Sequence, residues 1–187
     1  MGGDIKILDP RLLLLSIAAL AGATLAGCVG GEIITNPDAL PVEPFRLAQL
    51  RAPQAVTLNN GLTSPAKYQI RNQSTIWEVD ARQLTDTAVV MLRRALEKQG
   101  IRAAPQAEKT ATFRIQVRGG MAQFVPVPTV AASARLTLHA DLGDGTATSV
   151  DGESGSGFGV QNAFEGAIQN ALQRLLIDPT FVAYVNR

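Results

Sequence analysis

His139 is the only histidine of this 187-residue chain and Cys28 its only cysteine, which narrows the chemistry open to it. A general base at His139 would need an orienting partner, and Asp141 is the nearest acid. Two positions apart in a strand, however, the pair stands ~7 Å apart at the backbone, and no nucleophile is implied beside it. A metal centre needs three or more ligands, and one histidine with one thiol supplies no such cluster. An internal disulfide is excluded, because one cysteine has no partner. The run Gly152-Glu153-Ser154-Gly155-Ser156-Gly157-Phe158-Gly159 comes close to two motifs. A nucleophile elbow requires Gly-x-Ser-x-Gly, but Ser156 stands where the second glycine should be. A dinucleotide loop requires Gly-x-Gly-x-x-Gly, but Val160 occupies the third glycine position counted from Gly155. The run precedes a helix and could cradle an anion, although a flexible edge strand is the simpler reading. Asp141, Asp144, Asp151 and Glu153 flank a hairpin without the spacing of a calcium loop and read as solvated acids. No catalytic residue, cofactor or metal is expected.

The residues best suited to contact a partner are Trp77 and the run Phe124-Val125-Pro126-Val127-Pro128. Phe124, Val125 and Val127 are apolar residues in a proline-rich loop, which is hard to assign to a core. The alternative is a loop folded back over the open end of the sheet. Charge gives no nucleic-acid footprint, since 17 basic residues face 16 acidic ones.

Cys28 closes the run Leu25-Ala26-Gly27-Cys28 behind an apolar stretch from Leu12 to Gly27. At about 16 residues that stretch is shorter than the roughly 20 needed to span a bilayer. It has the size of a signal-peptide core and ends in small residues. Lys6 and Arg11 before it are matched by Asp4 and Asp9. The run ending in Cys28 resembles the lipobox of bacterial lipoproteins. The resemblance implies cleavage before Cys28, a diacylglyceryl group on its thiol and acylation of the new N-terminus. Two or more chains anchor stably where one does not. Val29, rather than Asp, follows the cysteine, which in such lipoproteins favours the periplasmic face of the outer membrane.

The expected organisation is a signal peptide over 1–27, a lipidated N-terminus and flexible tether over 28–52, and a periplasmic domain over 53–187. Removing residues 1–27 takes away two basic and two acidic residues and leaves the net charge at +1. Gly30, Gly31, Pro37, Pro41, Pro44 and Pro53 break regular structure in the tether. Ile33 to Pro44 could instead pack on the domain as an extended arm.

From residue 54 onward the pattern becomes regular. Gln54 to Asn59 alternates and ends in a turn signal, Asn59-Asn60-Gly61. Tyr68 to Ile70 and Thr75 to Val79 could each form a short strand. Asp80 and Gln83 suit the N-cap and third position of a helix. Leu84, Ala88, Met91, Leu92, Ala95 and Leu96 follow at helical spacing, and Gly100 suits its end. Thr110 to Arg118 and Thr129 to Leu142 alternate cleanly, so one face should be buried and one wet. Gly143-Asp144-Gly145 signals a hairpin. Thr146 to Phe158 reads as a fourth strand, weakened by Gly152, Gly155 and Gly157. Val160 to Ile177 is a second amphipathic helix, stopped by Asp178-Pro179. Phe181 to Tyr184 could add one more turn. The expected fold is α+β: a two-layer sandwich, with a mostly antiparallel sheet of three to four strands under two amphipathic helices on one face, in the order βαβββα.

That order resembles the YajG-type periplasmic lipoproteins over roughly residues 54 to 187. The likeness is carried by Gly100-Ile101, by Thr110-Ala111-Thr112-Phe113-Arg114-Ile115 after a short loop, and by the tail Ala171 to Pro179. Similar modules occur in the LPS-assembly subunit LptE and in auxiliary lipoproteins of ABC-type lipid transporters. LptE-like chains usually carry Gly-Phe-x-Leu-Arg after the lipidated cysteine, whereas Val29-Gly30-Gly31-Glu32 stands here. The expected function is that of a non-enzymatic adaptor or accessory subunit of an envelope complex, with an envelope protein as partner. The alternative is a small-ligand or lipid-binding accessory of a transport system. Arg114, Gln116, Arg135 and Thr137, on the wet sheet face, are the accompanying contact candidates.

Overall fold

The computed structural model describes residues 31–38, 55–72, 75–124 and 130–187. Cys28, Val125 and Val127 lie outside them. The strands are β1 (Ala55–Asn60), β2 (Lys67–Asn72), β3 (Thr75–Asp80), β4 (Arg102–Ala103), β5 (Lys109–Phe124), β6 (Val130–Leu142) and β7 (Ala147–Ser156). The helices are α1 (Ala81–Lys98), α2 (Val160–Leu175) and α3 (Pro179–Asn186).

The architecture corrects the expected one. Five strands form a mixed sheet in the order β4-β1-β5-β6-β7, and β2 and β3 form a separate antiparallel pair. β1 runs parallel to both β4 and β5. The cause is α1, which carries the chain from one end of the sheet back to the other, and parallel neighbours need such a crossover. Tyr68 to Ile70 and Thr75 to Val79, missing from the order βαβββα, are the hairpin β2–β3. A third helix, α3, follows the second. Asp178 caps it by accepting from the amides of Thr180 and Phe181, both at 3.0 Å, and Pro179 occupies its first turn, where a missing N–H costs nothing.

α1 begins where the sequence places it. Asp80 accepts from the Arg82 amide at 2.9 Å, and Gly100 takes a positive φ of 80° past the end. α1 packs on β5 and β1, and α2 on β7 and β6. Phe113, Leu136, Leu138, Leu92, Ile168 and Leu172 meet between sheet and helices, each at most 1 % exposed.

β5 extends well past Arg118. The residues read as a loop, Gly119 onward, continue the ladder to Phe124↔Val130 after a register shift between Val117 and Gly119. One extra residue in a bulge moves the alternation by one step. Core-facing positions are therefore Ala111, Phe113, Ile115 and Val117 before it and Ala122 after it. Gly120 is a packing notch: a Cβ there would lie 2.6 Å from Cδ1 of Ile70, which β2 lays against it. Gly152 on β7 has the same role under α2, because a Cβ there would lie 2.0 Å from the Ala167 carbonyl oxygen. The glycines read as weakening an edge strand thus include one that lets a helix approach it.

Residues 31–38, within the span read as tether, form an arm seated on the domain. Glu32 bridges to Glu78 of β3 in parallel, and the Ile33 amide donates to the Glu78 carbonyl at 2.9 Å. Ile33 and Thr35 are buried. The hydroxyls of Thr35 and Thr87 hydrogen-bond at 2.7 Å. The Asn36 amide donates to Glu165 Oε1 at 2.7 Å, and Arg94 pairs with Asp38.

Candidate functional site on the open face of the sheet

Residues of β5, β6 and β7 that alternate with the core point away from α1 and α2. They are Arg114 and Gln116, then Arg135, Thr137, His139 and Asp141, then Ser149, Asp151 and Glu153. Their side chains are joined across the strands. Arg114 pairs with Asp141, and His139 Nε2 lies 3.4 Å from Gln116 Oε1. Arg118 Nε donates to Thr137 Oγ1 at 2.9 Å, and Thr137 donates on to Asp151 Oδ1 at 2.7 Å. Arg135 Nε donates to Glu153 Oε1 at 2.9 Å. Thr137 was expected on the accessible surface but is only 5 % exposed, because Arg118, freed by the bulge, folds over it.

A cleft of about 590 Å³ opens on this face beside the β1–β2 connection. Leu62, Ala66 and Tyr68 form its apolar wall, and Arg114, His139 and Ser149 its polar floor. Ser149 went unnoticed in the sequence. The turn at Gly143-Asp144-Gly145 sets the register that puts it opposite His139, so counting back across the hairpin would have found it. His139, Ser149 and Asp141 share the cleft, but their bonds run elsewhere, His139 to Gln116 and Asp141 to Arg114. The arrangement offers a cation, an anion, an imidazole and hydroxyls at an open surface, which suits polar recognition.

Ser154 and Ser156 lie on the opposite side of the sheet from His139, paired with the core-facing Ala134 and Ala132. Ser154 sits under α2, where a Cβ on Gly166 would come within 2.3 Å of its Oγ. Ser156 Oγ accepts from the Phe158 amide at 3.0 Å. Trp77 is half-buried in β3 and packs against the core. Phe124 closes the β5 ladder; its side chain is outside the described residues.

A second cleft, of about 580 Å³, lies at the β6–β7 turn end of the strands between Glu108, Lys109, Asp144, Tyr184 and Arg187. Tyr184 donates to the Thr110 carbonyl and accepts from the Thr110 amide, both at 2.8 Å, and so fastens α3 to β5. Burial pushes the Lys109 ammonium below its ordinary range, and Lys109 donates to the Val185 carbonyl at 3.1 Å. Asp144 is held below the ordinary carboxylate range, first by the Thr146 hydroxyl and then by its amide. Among the described residues there is no group of three or more potential metal ligands, and no helix is long and apolar enough to cross a membrane.

No protein-family model matches this sequence, and no curated protein matches it. Among solved structures it is similar to protein XCC0632 from Xanthomonas campestris, described under the family DUF330. The TM-score is 0.41 and the sequence identity 15 %, over 85 % of this chain and 94 % of that one.

Proposed function

We propose that this chain is a lipid-anchored envelope protein on the periplasmic face of the outer membrane, whose domain acts through its surface as a non-enzymatic adaptor or accessory subunit. The anchor rests on Leu25-Ala26-Gly27-Cys28 and its resemblance to a lipobox, and the family reading on the resemblance to YajG-type lipoproteins. The observation that favours an adaptor over a lipid carrier is the filled interior. Leu92, Ile168 and Leu172 close on Phe113, Leu136 and Leu138 with almost no exposure, so the helix–sheet interface is packed rather than hollow. The open face instead offers polar groups around an open cleft, the kind of surface a protein partner reads.

Affinity purification of the full chain from its native envelope tests this. The wild type should carry the mass of added acyl chains, and Cys28→Ser should not. A protein partner should co-purify, and its recovery should fall with Arg114→Glu, which reverses charge on the open face. Recovery of a non-covalent lipid in place of a protein would favour the transport-accessory alternative. Loss of function in folded, lipidated His139→Ala with partner recovery unchanged would call for an enzyme instead.

A further inference from the structure

The seated arm limits how far the domain can stand from its anchor. Two residues, Val29 and Gly30, separate Cys28 from Gly31. Three Cα–Cα steps span at most about 11 Å. Gly31 is fixed on the body, since its carbonyl accepts from the Glu78 amide at 3.3 Å. Downstream the arm is held by the buried Thr35–Thr87 hydroxyl pair, by the Asn36 amide on Glu165, and by Arg94. Glu165 is 3 % exposed, and Gln161 Nε2 also donates to its Oε1 at 2.9 Å. A carboxylate that deep needs its bonds satisfied, so releasing the arm would strip one of them.

The arm also has a direction. It runs parallel to β3, so followed back from Glu32 it heads toward the β2–β3 turn. Ile76, 38 % exposed, stands there opposite the exposed Arg71. An apolar side chain beside a long cationic one suits the boundary between acyl chains and headgroups. Ile70 of the same hairpin packs on Gly120, far along β5 from Lys109. Ten or more residues of strand, about 33 Å, therefore separate this end from the other.

We propose that the domain sits flush on the lipid bilayer, β2–β3 hairpin end down, with the arm as a rigid clasp in place of a long tether. This rests on lipidation at Cys28. The opposite end, with Glu108 and the β6–β7 turn, then projects from the membrane.

The test uses the full lipidated chain in vesicles of phosphatidylethanolamine and phosphatidylglycerol. Lipidation consumes the native thiol, so one added cysteine takes a fluorophore cleanly. Ile76→Cys and Glu108→Cys are both surface positions. Headgroup nitroxide lipid should quench the label at 76 several-fold more than the label at 108. A Gly-Ser spacer inserted directly before Gly31, which leaves every arm contact in place, should not abolish lipidation but should shrink that difference. Equal quenching at the two positions in protein whose intact mass shows the acyl chains would overturn the flush orientation alone. An intact mass without acyl chains would overturn the anchor and this inference together.

Discussion

The two faces of β5–β6–β7 are made from alternate residues of the same strands, yet they bind their neighbours in different ways. On the helix side, side chains are held by shape: Leu136 and Leu138 are almost wholly enclosed, and α2 comes so close that Gly152 has no room for a methyl group. On the open side they are held by pairing, and the ion pairs stay wet. Arg135 and Glu153 are 70 % and 60 % exposed while bonded to each other. Burial fixes a fold because apolar surface taken from water and a filled volume act together. Exposed ion pairs give little stability and leave the face free to be remodelled around a partner.

Mutations should separate the faces by magnitude. Leu136→Ala should cost about 2–5 kcal/mol in urea unfolding, as a buried leucine truncation does. A loss under about 0.5 kcal/mol would mean the site collapses around the gap, far outside that range. Gly152→Ala adds a single methyl group, but its nearest neighbour is helix backbone that cannot rotate away. It should cost about 1–3 kcal/mol by overpacking, and an unchanged unfolding midpoint would show that α2 shifts freely. Arg135→Ala, on the open face, should cost at most about 1 kcal/mol while remaining able to affect partner recovery.

The smallest expected effect is pH-dependent. The folded Asp144 carboxyl is held below its ordinary value of 3.8, so it titrates lower in the folded than in the unfolded state. Its stabilisation is present above that ordinary value and is lost as the pH falls through the depressed folded value. Asp144→Ala should therefore be less stable than wild type at neutral pH, and the gap should close in strong acid. A gap that persists there, in denaturant midpoints followed down the acid range, would point to packing against Arg187 rather than titration.

The sequence was most legible where structure is local. Leu84 to Leu96 repeat at helical spacing, and Phe113, Ile115, Leu136 and Leu138 alternate, so α1, most of β5, β6 and the buried face could be read. The parallel pairing of β1 with β5 could not, because nothing in Val56 or Leu58 names a partner more than a helix away. Gly119-Gly120 carries the usual signal of a loop, yet it is a strand notched for Ile70, a neighbour that only the tertiary fold supplies. Of the site, alternation gave Arg114, Gln116 and His139. It missed Ser149, which needs cross-strand register, and the burial of Thr137, which needs the bulge that turns Arg118 over it. The arm was one of two readings of a proline-broken segment, because its partners Thr87, Arg94 and Glu165 lie on two distant helices.

The parallel ladder from Val56↔Lys109 to Asn60↔Phe113 also bears on how the chain acquires its shape in time. The β2–β3 and β6–β7 hairpins close over short loops, whereas β1 must wait for β5 to arrive across a whole helix. Sheets completed by such distant contacts form slowly, because loop closure costs entropy before any pairing is gained. β1, with β4 outside it, is expected to join last. Pulsed hydrogen exchange should therefore protect the Leu138 amide before that of Leu58, and a chain caught between those two events would expose the unpaired backbone edge of β5 to whatever receives it.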